Sequence, residues 1–139
     1  MFKKAILILG LLLMSLLLSV GCSRTPIAVT VRPGEVFTIG VGKTAQITGE
    51  DMTITFNEVI GDSRVPQNVD DIWEGVADSR VTISQHGSSS SVVLQQRGRT
   101  QEARDTFDSY TLTYILSPYP IEGKEIPPKD YRLTMTVTR

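Results

Sequence analysis

Cysteine and histidine are nearly absent from the chain, which contains one residue of each, Cys22 and His86. One cysteine leaves no partner for an intramolecular disulfide, and together the two residues fall short of the usual zinc ligand sets. His86 begins the stretch His-Gly-Ser-Ser-Ser, a small polar turn that would not hold an imidazole ring rigidly beside a nucleophile. We therefore predict that the protein is not an enzyme and binds no cofactor.

A strong charge of either sign is also missing, because 14 Lys and Arg residues face 15 Asp and Glu residues. Loss of Lys3 and Lys4 with the N-terminal leader described below would leave 12 basic residues and a net charge of −3. Nucleic acids and anionic membranes attract proteins that carry a basic face. We therefore expect no nucleic-acid partner, and no membrane binding that depends on charge alone.

The longest apolar run, residues 5–20, follows Lys3 and Lys4 at the N-terminus. It is shorter than the roughly 20 residues of a membrane-spanning helix and suits a signal peptide. The sequence Ser19-Val20-Gly21-Cys22 resembles a bacterial lipobox, in which small residues precede a cysteine that becomes the acylated mature N-terminus; Ser19 stands where leucine is usual. The alternatives are an uncleaved anchor helix and a cleaved signal with an incidental cysteine.

These features predict a signal peptide over residues 1–21, a lipidated tether over 22–26 and one folded domain over 27–139. Two or more acyl chains hold a protein stably at a bilayer, whereas one chain does so only marginally. The expected location is the cell membrane or the outer membrane, with the domain lipid-anchored and extracytoplasmic.

Alternating apolar and polar residues dominate the rest of the chain, as in Met-Thr-Ile-Thr-Phe-Asn over residues 52–57. A period of two with threonine outward is typical of half-solvated antiparallel strands. About seven or eight such segments, with no long helix after the leader, predict an all-β fold. We favour a single antiparallel β-sandwich of immunoglobulin-like type over a small barrel. Residues 97–106 lack the alternation and are predicted as a loop with a helical turn near Gln101 to Arg104.

The only tryptophan, Trp73, lies in a polar stretch over residues 61–75. We predict that its indole plugs an apolar site and seats this loop on the core. Asp62, Ser63 and Arg64 are the expected scaffold of the loop, with Arg64 paired to Asp62 or to Asp71. Calcium is a weak alternative for its carboxylates, which lack the regular spacing of an EF-hand; they are Asp62, Asp70, Asp71 and Glu74.

The pattern Asp62-Ser63-Arg64, Pro66, Trp73 and Gly75 resembles a motif of an uncharacterised family of small bacterial envelope proteins, often lipoproteins. In that family Asp-Ser-Arg-Cys-Pro is followed by Cys-x-Trp-x-Gly, and the two cysteines fall here on Val65 and Asp71. The resemblance implies an envelope location. A bond between those cysteines would supply about 2.4 kcal/mol by closing a loop of about seven residues, so another interaction must order the loop here.

The favoured function is non-catalytic binding or scaffolding in the cell envelope, with the membrane contacted through the lipid anchor and an envelope protein or glycan as partner. The recognition surface is expected on the loop of Asp62, Ser63, Arg64 and Trp73, unless that loop is purely structural. Arg97, Arg99 and Arg104 are either solvated charges or a site for an acidic partner. The alternatives are an inhibitor of a secreted hydrolase and, less favoured, an enzyme that acts on envelope polysaccharide.

Replacing Cys22 tests the predicted anchor directly. Cys22→Ala removes the thiol that would be acylated, so we expect the protein to lose its lipid mass and to keep residues that precede position 22. Mass spectrometry of the N-terminal peptide from isolated membranes measures both. A wild-type N-terminus without lipid would contradict the prediction.

Overall fold

The computed structural model describes residues 26–98 and 102–139, in which nine strands and one 3-10 turn are found. The leader, Cys22, Arg99 and Gln101 lie outside the described residues. The strands are β1 (Ile27–Val31), β2 (Val36–Gly40), β3 (Thr44–Ile47), β4 (Met52–Asp62), β5 (Val76–Gln85), β6 (Ser88–Arg97), β7 (Ala103–Phe107), β8 (Tyr110–Ser117) and β9 (Arg132–Thr138); the turn is Pro128–Asp130.

The strands form two packed sheets, which confirms the predicted β-sandwich. One sheet has five strands in the order β1-β3-β4-β5-β6, and the other has four in the order β2-β9-β8-β7. All neighbours are antiparallel except β1 and β3, which run parallel. The chain crosses to the other sheet for β2 and then returns, so its direction reverses twice between β1 and β3.

The strand order, which the sequence did not predict, consists mostly of neighbours in sequence. Strands β3 to β6 follow one another in one sheet and β7 to β9 in the other. An immunoglobulin constant domain instead has the orders A-B-E-D and C-F-G, in which its second strand pairs with its fifth. The term immunoglobulin-like therefore describes the two-sheet architecture here and not the connectivity.

The core lies between the sheets and consists of the alternate residues that the period of two predicts. Met52, Ile54 and Phe56 of β4 are almost completely buried, as are the inward residues of β9, Leu133, Met135 and Val137. The intervening threonines Thr53 and Thr55 and the adjacent Asn57 are intermediate or exposed. Burial of one face of each strand thus fixes the register of both sheets.

Two local predictions were wrong. The expected helical turn is replaced by β7, whose Ala103 pairs with Tyr114 and whose Phe107 pairs with Tyr110. β7 is an edge strand whose middle residues are exposed, so its sequence does not show the alternation of apolar and polar residues that marks the other strands. The hairpin predicted over residues 86–90 is shorter: His86 and Gly87 alone form the turn, and Ser88 already belongs to β6.

The connections gather at two ends of the sandwich. The loop end carries residues 41–43, the loop between β4 and β5 (residues 63–75, the Trp73 loop) and the loop between β8 and β9 (residues 118–131, the proline loop). The turn end carries the short turns at residues 32–35, 48–51, 86–87 and 108–109. Strand β1 runs towards the turn end, parallel to β3.

Candidate functional site

The Trp73 loop is closed at its base by a short ladder between its two arms. Ser63 N donates to Val76 O at 2.8 Å, and Val65 N donates to Glu74 O at 3.2 Å. The Ser63 hydroxyl also accepts from Val76 N at 3.1 Å. Gly75 has φ +72°, and a Cβ there would lie 1.9 Å from Ser63 O. Only glycine therefore allows the arms to approach so closely.

Arg64 is buried beneath this loop, with a side chain that is 0% exposed. Its Nε donates to Asp62 Oδ1 at 2.8 Å and its Nη2 to Asp62 Oδ2 at 2.7 Å, a bidentate ion pair. The remaining donors reach two backbone carbonyls across the sandwich, with Nη1 on Leu116 O at 2.8 Å and Nη2 on Pro118 O at 3.1 Å. The guanidinium also lies over the ring of Tyr119, 4.9 Å from its centroid. The predicted pairing of Arg64 with Asp62 is confirmed, and Asp71 is not its partner.

The Asp62 carboxylate also accepts a hydrogen bond from Tyr131, whose hydroxyl donates to Asp62 Oδ2 at 3.1 Å. Burial, followed by the negative charge of Asp62, raises the pKa of Tyr131 to about 12. The tyrosine is therefore a stable hydrogen-bond donor at neutral pH, and the Asp62 carboxylate is shared between a cation and a phenol.

The proline loop is bonded to the Trp73 loop at two further points. Tyr119 Oη donates to Val65 O at 3.0 Å. Asn68 donates from Nδ2 to Glu122 Oε2 at 3.2 Å and accepts from Glu122 N at 3.3 Å. Val65, which stands where the similar envelope family has a cysteine, is buried. An ion pair and a second loop thus support a loop that has no disulfide.

The prediction that Trp73 plugs the core was wrong, since its side chain is 70% exposed and that of Ile72 is fully exposed. The large side chains of this loop that are buried are those of Arg64 and Val65. Asp71 Oδ1 accepts from Trp73 N at 3.2 Å and shapes the turn at this point. Ile72 and Trp73 therefore form an exposed apolar pair on a loop that is held firmly at its base. We call these two residues the tip.

Two depressions that share Gln95 and Arg97 as lining residues lie beside the tip, and we call the two together the groove. The first, of about 300 Å³, adjoins the tip and reaches Gln95 and Arg97 on β6. The second, of about 570 Å³, continues from those two residues between the edge strands β6 and β7. Its other lining residues are Val93, Glu102, Ala103, Arg104, Asp105 and Tyr114.

The groove contains two residues that were predicted from the sequence as part of a basic group, and others that were not predicted. Of the predicted basic group, Arg97 and Arg104 line it, while Arg99 lies outside the described residues. Val93, Gln95 and Glu102 were not predicted, because no pattern in the sequence shows that the edges of β6 and β7 face each other.

The four carboxylates considered for calcium do not converge. Asp62 is engaged by Arg64, and Asp71 accepts from a backbone amide within its own turn. Over residues 26–98 and 102–139, no three His, Cys, Asp or Glu side chains are grouped as metal ligands. Asp70 and Glu74, the remaining candidates, therefore join no such group with the other two.

The described ranges also contain no helix long and apolar enough to cross a membrane. No protein-family model matches the chain, and no curated protein or solved structure is significantly similar to it. The resemblance to the envelope lipoprotein family therefore stays a prediction. The structure shows a β-sandwich in which the Trp73 loop is held at its base and the groove lies beside it.

Removing Arg64 tests the support of the Trp73 loop. Arg64→Ala leaves the buried Asp62 carboxylate without its cation, and we expect the free energy of unfolding to fall by about 3–5 kcal/mol in urea titrations. The matched control is Arg80→Ala, which breaks a pair with Glu58 whose side chains are 43% and 52% exposed. That change should cost at most about 1 kcal/mol. Equal losses in the two variants would contradict the assignment.

Tyr131 provides a test by pH. The pKa of Tyr131 in the folded protein is about 12, above the ordinary value of 10.0. The contribution of Tyr131 to the free energy of unfolding is therefore fully present below about pH 10 and declines as the pH rises towards 12. Tyr131→Phe should make the fall in stability over that interval shallower without abolishing it, because burial also raises the pKa of Tyr114 to about 12. Urea unfolding at several alkaline pH values measures the slope; an unchanged slope would refute the role of Tyr131.

Proposed function

We propose that the protein is a lipid-anchored, extracytoplasmic β-sandwich of the bacterial cell envelope that binds or scaffolds another envelope component and catalyses no reaction. Cys22 is the attachment point, in the cell membrane or the outer membrane. The partner is an envelope protein or glycan. The lipobox-like sequence before Cys22 and the resemblance around Asp62-Ser63-Arg64 support this location.

The observation that carries the binding role is the contrast between the tip and the structure beneath it. The Arg64 side chain is fully buried and paired with Asp62, whose side chain is 7% exposed, whereas Ile72 and Trp73 on the same loop as Arg64 are exposed. A large aromatic residue on a rigid support gives much contact area and loses little conformational freedom on binding. Loops held by a rigid sandwich commonly carry binding sites.

The groove supplies the polar part of the proposed contact surface. Arg97 and Arg104 lie there together with Glu102 and Asp105, so both charge signs are present, and Val93 adds an exposed apolar side chain. Mixed charges with a few apolar contacts suit a polar macromolecular surface. The proposed contact surface is therefore the tip plus the groove.

An inhibitor of a secreted hydrolase is the second candidate, because the braced, protruding Trp73 loop meets its main requirement. Such an inhibitor would insert Ile72 and Trp73 into the cleft of its target. Trp73→Ala would then abolish inhibition while the frame around Arg64 kept its stability.

Site-specific photocrosslinking in intact membranes tests the proposed function. A photoreactive residue in place of Val93 lies in the groove, and one in place of Ser89 lies on the same strand towards the turn end. Both original residues are exposed, so neither change should disturb folding. We expect a discrete adduct from position 93 and none from position 89, with the mature N-terminus read by mass spectrometry in the same sample.

Three results would count against the proposal. Equal labelling at positions 89 and 93 would show that the groove is not a specific surface. Absence of any adduct in membranes that contain the acylated protein would argue against a macromolecular partner at the groove. An N-terminus without acylation would remove the anchor.

A further inference from the structure

The tether joins the folded domain from the side of the loop end. Ile27, the first residue of β1, aligns with Thr44, and Thr44 aligns with Thr55 of β4. Strand β4 continues beyond that level for seven residues to Asp62, with two irregularities in its pairing. At about 3.3 Å per residue the loop end projects roughly 20 Å beyond Ile27. The Trp73 loop extends from there.

The proposed tether is about as long as the distance by which the loop end projects beyond Ile27. Four residues lie between Cys22 and Ile27, so the five Cα-to-Cα steps that join them span at most about 18 Å when the chain is fully extended. If the loop end faces the bilayer, this tether is too short to hold the Trp73 loop clear of the lipid. The same tether folded back would also reach the turn end, so its length alone does not fix the orientation.

The distribution of exposed apolar side chains decides between the two ends. Among the described residues, eight large hydrophobic side chains are exposed; Ile72, Trp73 and Ile121 lie in the loops of the loop end, and Ile60 lies two residues before the same end of β4. Val36 is the one at the turn end. Trp prefers the interface between water and lipid, where its ring is in an apolar layer and its N–H stays bonded. The loop end is therefore the end that gains free energy by meeting a bilayer.

We propose that the tip inserts into the interfacial layer of the bilayer in which the protein is anchored, so that the sandwich stands with its loop end on the lipid. This inference rests on the proposed acylation of Cys22, and it divides the proposed contact surface: the tip meets lipid, and the groove alone is left for an envelope protein or glycan. The groove beside the tip then opens close to the membrane. Partners bound there are those that lie at, or emerge from, the same bilayer.

Charge does not drive this contact. Lys124 and Lys129 of the proline loop are offset by Glu122, Glu125 and Asp130 of the same loop. Asp70, Asp71 and Glu74 flank the tip. The insertion is driven by apolar area and should occur on neutral lipids and persist at high salt.

Trp73 is the only tryptophan in the chain, so its fluorescence reports on the tip without labelling. The lipidated full chain is reconstituted into phosphatidylcholine vesicles, and its emission is recorded with brominated lipid and with acrylamide in the aqueous phase. We expect a blue shift relative to the detergent-free, unacylated protein, strong quenching by brominated lipid and weak quenching by acrylamide. Ile72→Asp, a change at a fully exposed position, should weaken the lipid quenching.

The matched control moves the reporter to the turn end. Val36 and Trp73 are both 70% exposed, so Trp73→Phe combined with Val36→Trp places an equally accessible indole far from the tip. That indole should be quenched by acrylamide and not by brominated lipid.

Each outcome decides a separate question. Acylated protein whose Trp73 stays accessible to acrylamide would overturn the insertion and leave the anchor intact. A blue shift that requires an added envelope glycan or protein would also overturn it, by assigning the tip to that partner. A chain that mass spectrometry shows to be unacylated would overturn the proposed function itself.

Discussion

The bidentate pairing of Arg64 with Asp62 is the interaction on which the candidate site depends. A guanidinium with a fully buried side chain needs a partner for each donor, because an uncompensated buried charge costs several kcal/mol. The partners come from three places, the Asp62 carboxylate and the carbonyls of Leu116 and Pro118. The hydrogen bonds of the Arg64 side chain thus join the end of β4 to the end of β8 and place the two long loops against each other.

Within the Trp73 loop, the residues that hold the loop in place are different from the residues that it exposes to solvent. Ser63, Arg64 and Gly75 close the base of the loop, where hydrogen bonds and close backbone contact leave little room for other residues. Ile72 and Trp73 lie outside that framework and contribute little to the core. Substitutions at the base and at the tip should therefore have different signatures, the first in stability and the second in binding.

The architecture was predictable because strand alternation is a local property. Met52, Ile54 and Phe56 are buried as their period of two requires. The preference of arginine for carboxylates predicted a partner for Arg64 but left Asp62 and Asp71 as alternatives, and the structure shows that it is Asp62. The exposure of Trp73 was not predictable, since the side chain that this loop buries is that of Arg64, whose carbonyl partners Leu116 and Pro118 are distant in the sequence. Strand β7 was missed for a related reason: its exposed middle residues carry no apolar alternation, and its pairing with β8 alone defines it.

Asp62 and Arg64 act as one coupled unit that holds the loop. A double-mutant cycle tests it most directly, with Asp62→Ala, Arg64→Ala and the double variant compared with wild type by urea unfolding. We expect a coupling energy above about 1 kcal/mol, because removal of the second partner costs little once the first is gone. Additive losses, with a coupling energy near zero, would contradict it.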